Sequence, residues 1–500
     1  MGAAELAALS STAGTELRAI ADGASPVGVF SRRSIEHVAV VIGALHEGIP
    51  FFNISPKAGV EQVAQMVRIA GARGLVIDNA AVLKLAARPE LLSGITLLRL
   101  DEGPWSPAHE AMLGRLTRGA HVRTLPAPTG AGPLHANPPS HSEGASCFLF
   151  TSGSTGTPKC VAIGAADLGK RIATEAVAYG LGPHDRLLNV LPFSFDVGFN
   201  QLLSSLASAA TLVLLNSWLA QDIVDAIRDE EITGISAVPA IWQTLFEHDE
   251  DEVRDALARL RYLTVSGGDL APEALSRLRR LAPDASIFKT YGQTETFRSG
   301  MLLPHELEAR PRSVGRPPAG VRVDVLGEDG ALLGPDQLGQ VVHSGVGTML
   351  GYVGDDVGTR SKVVTIDGRR SVLTGDLGYV DSEGYLFLQG RMDRMLKVRG
   401  NRVYPEEVEA ALREHPDVAE AVVVLVNGPT PRLVAAVVPA GGDLDRLEMR
   451  SFLARRLMAF MVPEEVVVTR VLPRTATGKV DFRATTELIT DAVSSPAGLA

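Results

Sequence analysis

Nine residues, Thr151-Ser-Gly-Ser-Thr-Gly-Thr-Pro-Lys159, restrict the fold of this chain more than any other stretch. Two short apolar runs bracket them, Ala145-Ser-Cys-Phe-Leu-Phe150 before and Cys160-Val-Ala-Ile163 after. Each run is short for a helix and abuts Gly or Pro, so two strands joined by a loop are expected. The loop carries two glycines, Gly153 and Gly156, and the hydroxyls of Thr151, Ser152, Ser154 and Thr155. Small residues let backbone N–H groups approach a phosphate, hydroxyls add donors, and Lys159 adds a cation. A P-loop would need Gly before the lysine, Ser or Thr after it and then a helix. Here Pro158 precedes Lys159 and Cys160 follows. The bland alternative is a flexible Ser/Gly linker, and the two flanking strands count against it.

The 500 residues are 45% hydrophobic, enough for a large core in several packing units. A formal charge of −10 argues against a nucleic-acid partner, since such surfaces are usually basic. The two cysteines, Cys147 and Cys160, lack metal-ligand spacing and read as buried strand residues. The N-terminus has no basic region followed by an apolar run, and no apolar stretch is long enough to span a membrane. A cytoplasmic location is the expectation, with no membrane partner.

Strand-like and helix-like runs alternate from Val27 onward: Val27–Phe30, His37–Leu45, then Gly74–Asp78. After a Pro/Gly-rich linker over Pro126–Pro139 the alternation resumes. Arg186–Leu191, Thr211–Leu215, Gly234–Val238 and Arg261–Val265 read as strands; Asn200–Ala207 and Asp222–Arg228 read as helices. That pattern implies a parallel α/β core. From about residue 320 to 392 short strands with Gly-rich turns imply a β-rich subdomain. After Arg394 the chain is mixed α and β again, with a helix opened by Pro405. The expected division is therefore an α/β domain over 1–392, a small α/β domain over 393–485 and a flexible tail over 486–500.

Further motifs follow the loop in order. Ser266-Gly-Gly-Asp269 contains Gly267 and Gly268 in a turn. Tyr291-Gly-Gln-Thr-Glu295 combines an aromatic face, a hydroxyl and a hard carboxylate. Thr374-Gly-Asp376 precedes Gly390-Arg-Met-Asp393. Met395-Leu-Lys-Val-Arg-Gly-Asn-Arg402 is basic, and Pro473-Arg-Thr-Ala-Thr-Gly-Lys479 ends in a lysine. Taken singly, Asp376 is a common turn residue, and Lys479 and the basic run are ordinary surface. Their order together resembles the adenylate-forming superfamily, which includes acyl-CoA synthetases, luciferases and peptide-synthetase adenylation domains. The resemblance covers nearly the whole chain.

The resemblance implies an AMP-forming carboxylate ligase that uses ATP and Mg²⁺. It implies that Thr151–Gly156 and Lys159 cradle phosphate, Tyr291 stacks on adenine above Gly267 and Gly268, and Thr294 meets the α-phosphate. Glu295 would hold magnesium, Asp376 would accept from the ribose hydroxyls, and Arg391 would support the same ribose. Asp393 falls at the hinge of the small domain, a mobile lid. Lys479 would bridge the substrate carboxylate and the α-phosphate, where an ammonium suits the charge that develops.

Leu191-Pro-Phe-Ser-Phe-Asp196 speaks to the acid. Fatty-acid and aryl-acid activating relatives commonly carry a His in this region; this chain has Phe195-Asp196, as amino-acid activating domains do. Asp196 would pair with the substrate ammonium, because a buried carboxylate needs a cation; a helix N-cap is the alternative. By the same resemblance the pocket includes Val197, Asn200, Ile241, Thr264, Ser266, Thr290, Arg298 and Ser299. Arg298 is unusual there: it selects an acidic side chain or pairs with a protein carboxylate. The expected substrate is a small amino acid. The expected acceptor is phosphopantetheine on an acyl or peptidyl carrier protein, or a carrier-bound amino group that gives an amide. The nearest likeness is to stand-alone enzymes that load small amino acids in polyketide macrolactam assembly. The alternatives are a ligase for a non-amino acid, with CoA or an acyl-carrier protein as acceptor, and a catalytically silent nucleotide-binding protein.

Overall fold

The computed structural model describes residues 1–22, 25–100, 106–116, 122–127, 144–151, 158–270, 272–398, 401–426, 432–441, 444–475 and 479–494. Its first sheet has eight strands, in the spatial order Gly351–Tyr352, Lys159–Gly164, Ala145–Thr151, Phe51–Asn53, Val27–Phe30, Gly74–Ile77, Thr96–Arg99 and Val122–Thr124. From Ala145–Thr151 outward every pairing is parallel. Ala145–Thr151 and Lys159–Gly164 form an antiparallel pair, as the two runs around the loop led us to expect. Cys147 and Cys160 are free and buried in it, with thiols pushed up to about 12 by burial.

The second sheet runs Gly300–Leu302, Ser286–Tyr291, Tyr262–Val265, Gly234–Ala237, Arg186–Asn189 and Thr211–Leu214. It is parallel except for the edge strand Gly300–Leu302. Helix Asp196–Ala207 lies between the two sheets. Every residue from Asp196 to Ser205 is buried, which fits a helix enclosed on all sides. Phe199, Leu202 and Leu203 share one apolar core with Val29, Phe51 and Val76 of the first sheet.

The turn before this helix is fixed by polar side chains of the first sheet's domain. Arg33 Nη1 donates to the carbonyls of Asn189 and Leu191, each at 2.8 Å. Asn53 Nδ2 donates to Phe193 O at 3.2 Å, and His37 packs edge-on against the Phe193 ring. Gly198 is obligatory at this junction: a Cβ there would lie 2.5 Å from Leu191 O. The chain therefore enters the helix, and presents Asp196, in one conformation.

Residues 321–391 supply a five-stranded antiparallel sheet in which Arg369–Val380 pairs with Gly339–Gly345, Val363–Ile366 and Leu386–Arg391. One short strand of the same stretch, Gly351–Tyr352, joins the first sheet instead. Beyond it, Val418–Val426, Arg432–Pro439 and Glu465–Val468 form a three-stranded sheet. Alternate residues of Val418–Val426 face opposite cores, Ala421 and Val423 toward Val408, Leu412 and Met449, and Val422 and Val424 toward Ile489. That second core corrects one expectation. Residues 486–494 are not a loose tail but part of helix Phe482–Ser494, whose Ile489 is fully buried; residues 495–500 of the expected tail lie outside the described ones. No helix among the described residues is long and apolar enough to cross a membrane.

Candidate active site

Several of the expected site residues follow the carboxyl ends of the second sheet's parallel strands, where open α/β sheets bind ligands: Asp196 after Arg186–Asn189, Ile241 after Gly234–Ala237, Ser266 after Tyr262–Val265 and Tyr291 at the end of Ser286–Tyr291. Tyr291 ends strand Ser286–Tyr291, and Gly292–Phe297 folds back on itself at once. Phe297 N donates to Gln293 O at 2.6 Å, and Ser299 N to Tyr291 O at 2.8 Å. A Cβ on Gly292 would fall 1.4 Å from Phe297 O, and Phe297 itself holds φ 62°. A non-glycine residue in the left-handed region is held there by its surroundings, which is common at functional turns.

Asp376 is the hub of this region. Its carboxylate accepts from Tyr291 Oη, from Gln293 Nε2 at 2.5 Å and from Arg391 Nη1 at 3.1 Å. Burial and the adjacent Asp376 carboxylate push the Tyr291 hydroxyl well above its ordinary range, so it donates at any working pH. Arg391 also binds Asp393, with Nε–Oδ1 and Nη2–Oδ2 both at 3.0 Å. Side-chain hydrogen bonding to Arg391 holds the Asp393 carboxyl below its ordinary value. Glu295 Oε1 accepts from Tyr352 Oη at 2.9 Å, and Lys159 Nζ sits 4.7 Å from the same ring. Lys159 and Glu295, remote in sequence, therefore flank one tyrosine.

Glu295 offers one hard carboxylate beside a lysine. No cluster of three His, Cys, Asp or Glu ligands occurs among the described residues. That donor set fits Mg²⁺, which keeps several waters and is held by one or two carboxylates together with substrate phosphates. In the stretch Thr151–Lys159, Thr151 and Lys159 end and begin their strands, while Ser152, Gly153, Ser154, Thr155 and Gly156 lie outside the described residues. The glycine turn Gly267-Gly268 lies under Phe195, and Gly267 has φ 75°.

The residues expected around the acid are buried together. Thr264, Ser266 and Thr290 form a chain of hydroxyls, Thr264 to Ser266 at 3.2 Å and Ser266 to Thr290 at 2.7 Å. Val197 and Ile241 are buried on their helices. Asn200 Nδ2 donates to Asp196 O at 2.8 Å, and its Oδ1 has no partner among the described residues. Asp196 is the first residue of its helix and not the cap, a position that Phe195 takes. Arg298 Nη1 reaches Asp196 Oδ2 at 3.2 Å, and Arg298 Nη2 reaches Glu175 Oε1 at 2.7 Å. Of the two roles the sequence left open for Arg298, pairing with protein carboxylates is the one in place.

Ser299 turns its hydroxyl to His343, Oγ to Nδ1 at 3.0 Å. His343 Nε2 must carry the proton, because it faces Val346 O at 2.8 Å, and Nδ1 then accepts from Ser299. Burial pushes this imidazole down from 6.5 to about 4. The folded pKa is below the unfolded one, so its contribution to stability is present above pH 6.5 and is lost as pH falls toward 4. Thermal melts should show wild type weakening across that window more steeply than His343→Gln, by up to ~1.4 kcal/mol per pH unit. Equal slopes would mean that His343 titrates normally. His37, also buried and pushed down, acts in both proteins and cancels from the difference.

Lys479 comes from the small domain. Thr475 N donates to Lys479 O at 2.8 Å, closing the loop, and Lys479 Nζ stands 5.9 Å from the Phe195 ring. Arg474 Nη2 crosses to Gln243 Oε1 at 3.2 Å, on the helix that carries Ile241. The lysine thus stands over the segment that presents Asp196. Four polar side chains of the site lie outside the sequence-predicted set: Glu175, His343, Tyr352 and Lys362. Lys362 donates to Thr374 O at 3.3 Å. Burial and nearby Arg391 push its ammonium below the ordinary lysine value. None lies in a motif, so no local signal marked them.

Comparison with known proteins gives a consistent picture. The family described as AMP-binding enzyme matches residues 3–353, and the AMP-binding enzyme C-terminal domain matches residues 407–479. An indoleacetate–CoA ligase of Aromatoleum aromaticum is 31% identical over 466 residues, covering 91% of this chain and 86% of that protein. An L-proline–[L-prolyl-carrier protein] ligase of Pseudomonas fluorescens is 29% identical, covering 91% and 87%. Among solved structures, the amide bond synthetase McbA from Marinactinospora thermotolerans superposes with a TM-score of 0.85 at 26% identity, covering 98% of this chain and 95% of that one.

Proposed function

Because this chain belongs to the AMP-binding enzyme family, and is therefore an ATP-using, AMP-forming ligase, we propose that its acid is a small amino acid. The aminoacyl group is then passed to a carrier-protein phosphopantetheine thiol or to a carrier-bound amine. One observation carries the amino-acid part. Two buried carboxylates, Asp196 and Glu175, share the single guanidinium of Arg298. With both ionised the cluster keeps one negative charge, which a substrate ammonium neutralises; an uncompensated buried charge is costly. The likeness to a prolyl-carrier ligase and to an amide bond synthetase supports both acceptor chemistries.

In this reading the acid lies between Asp196 and Lys479 with its carboxylate toward the ammonium. Attack on the α-phosphorus forms the mixed anhydride and expels pyrophosphate. Thr294 and Lys479 donate to the oxygens that gain charge, and Tyr291, Asp376 and Arg391 hold the nucleoside. Magnesium at Glu295 supplies charge neutralisation of the phosphates. Residues Thr151–Gly156 with Lys159 form the rest of the phosphate cradle. Pyrophosphate exchange across a panel of amino acids, their des-amino analogues and fatty acids tests the reading: a small amino acid should give the highest rate. A second reading, a ligase for an acid without an ammonium, is favoured by the Arg298 contact that already occupies Asp196 and by the likeness to an indoleacetate–CoA ligase. A des-amino acid at the head of the panel selects it.

The lid over residues 393–485 is proposed to rotate about Asp393 between the two half-reactions. Asp393 lies in the short turn Met392–Arg394 that joins strand Leu386–Arg391 to the hairpin of Leu396–Val398 and Asn401–Val403. Proline fixes φ. Asp393→Pro should therefore retain adenylation and lose transfer to the acceptor, with Asp393→Ala separating the hinge effect from the lost Arg391 ion pair. Equal loss of both steps in the Pro variant would place the hinge elsewhere.

A further inference from the structure

Glu175 belongs to helix Ala165–Ala178, which contributes none of the residues expected around the acid, yet its carboxylate makes the shorter of the two bonds to Arg298. The guanidinium is otherwise fixed: it stacks 4.6 Å from the Phe297 ring, and its Nε has no partner among the described residues. Glu175 and Arg298 are 3% and 2% exposed, against 7% for Asp196. Glu175 thus makes the shorter bond to the cation, and Asp196, the slightly more accessible carboxylate, is the one proposed to meet the substrate ammonium.

We propose that Glu175 is a specificity-determining residue: by neutralising Arg298 it leaves the charge of Asp196 to the substrate ammonium. The proposal rests on the amino-acid reading above. With Glu175 ionised, Arg298 is already paired, and Asp196 lacks a full counter-ion until an ammonium arrives. With Glu175 neutral, Arg298 and Asp196 neutralise each other, and an ammonium enters without an anion to receive it. An acid lacking the ammonium meets no such penalty. Glu175 acts through Arg298 and Asp196 and touches no reacting atom, so it is a positioning residue. Burial, reinforced by the neighbouring Asp196 and opposed by Arg298, holds the Glu175 carboxyl above its ordinary value, so its ionised form depends on the 2.7 Å bond to Arg298.

The test is pyrophosphate exchange by purified Glu175→Gln with the best amino acid of the panel and with its des-amino analogue. The expected result is a fall in the kcat/KM ratio, amino acid over des-amino acid, of about thirtyfold or more, carried mainly by the amino-acid KM. The des-amino acid should hold its rate or rise, because Arg298 then neutralises Asp196 and no buried carboxylate is left without a counter-ion. The double variant E175Q/R298Q, which leaves Asp196 as the cluster's lone charge, should recover the preference. A purely structural Glu175 would lower both substrates together, and an unchanged ratio in a folded Glu175→Gln protein overturns the proposal. Glu175→Met makes the same change of charge without a buried amide and replaces Glu175→Gln if that protein melts early. If wild type itself prefers the des-amino acid, the amino-acid reading fails and this proposal with it. If wild type prefers the amino acid but the ratio survives Glu175→Gln, only the proposal fails.

Discussion

Replacing Lys479 by alanine should lower adenylate formation at least a hundredfold and leave the thermal melt unchanged. The lysine is solvent-exposed at the end of a loop closed by the Thr475–Lys479 backbone bond, so the fold does not depend on its side chain. Its Nζ stands 5.9 Å from the Phe195 ring, next to the residue proposed to hold the substrate. In-line attack on phosphorus concentrates negative charge on the α-phosphate oxygens, and a donor aimed at that charge strengthens in the transition state. Removing one such donor typically costs about 3 kcal/mol. The loss should appear in kcat of pyrophosphate exchange, with ATP binding nearly unchanged, because Tyr291, Asp376 and Arg391 remain. Exchange near the wild-type rate would remove Lys479 from the mechanism.

The parallel core was legible because buried strands leave a strong local signature. Val27–Phe30, Gly74–Ile77 and Tyr262–Val265 are short apolar runs between turn residues, and each forms the strand its pattern implied. Boundaries were less legible where packing overrides pattern. Helix Asp196–Ala207 starts four residues before its readable periodicity, since a helix buried on all sides has no polar face to mark it. The C-terminal segment shows the converse: Ile489 seals the second core of the small domain, but the run around it is polar enough to read as a tail.

The nucleotide side of the site could be read as contiguous motifs. The links between them could not, because Tyr352 and Lys362 reach the site only through strand pairing and a short helix distant in sequence. Glu175 is the sharpest case. Sequence spacing left the partner of Arg298 open, and the carboxylate that binds it stands 123 residues earlier, on a helix with no recognisable motif.

Asp196→Ala is expected to lower kcat/KM for the amino acid by two to three orders of magnitude. Breaking a desolvated charge pair by removing one partner costs about 3–5 kcal/mol, because the other charge stays buried without a counter-ion. Here the stranded charge is the substrate's ammonium and not a protein group. Arg298 keeps its 2.7 Å bond to Glu175, so the truncated protein retains a neutral buried pair and should fold. ATP binding should be nearly unchanged, since the Tyr291–Asp376–Arg391 network does not include Asp196. The des-amino analogue provides the contrast. In wild type it leaves Asp196 without an ammonium partner and should be a poor substrate; in Asp196→Ala that penalty disappears, so its rate should hold or rise while the amino acid's collapses. Measuring both acids on both proteins yields a double-mutant cycle between the carboxylate and the ammonium, and its coupling term is the quantity of interest. A coupling near zero would mean that Arg298 already satisfies Asp196. The site would then recognise an acid that carries no ammonium, and a ligase for a non-amino acid would replace the amino-acid ligase.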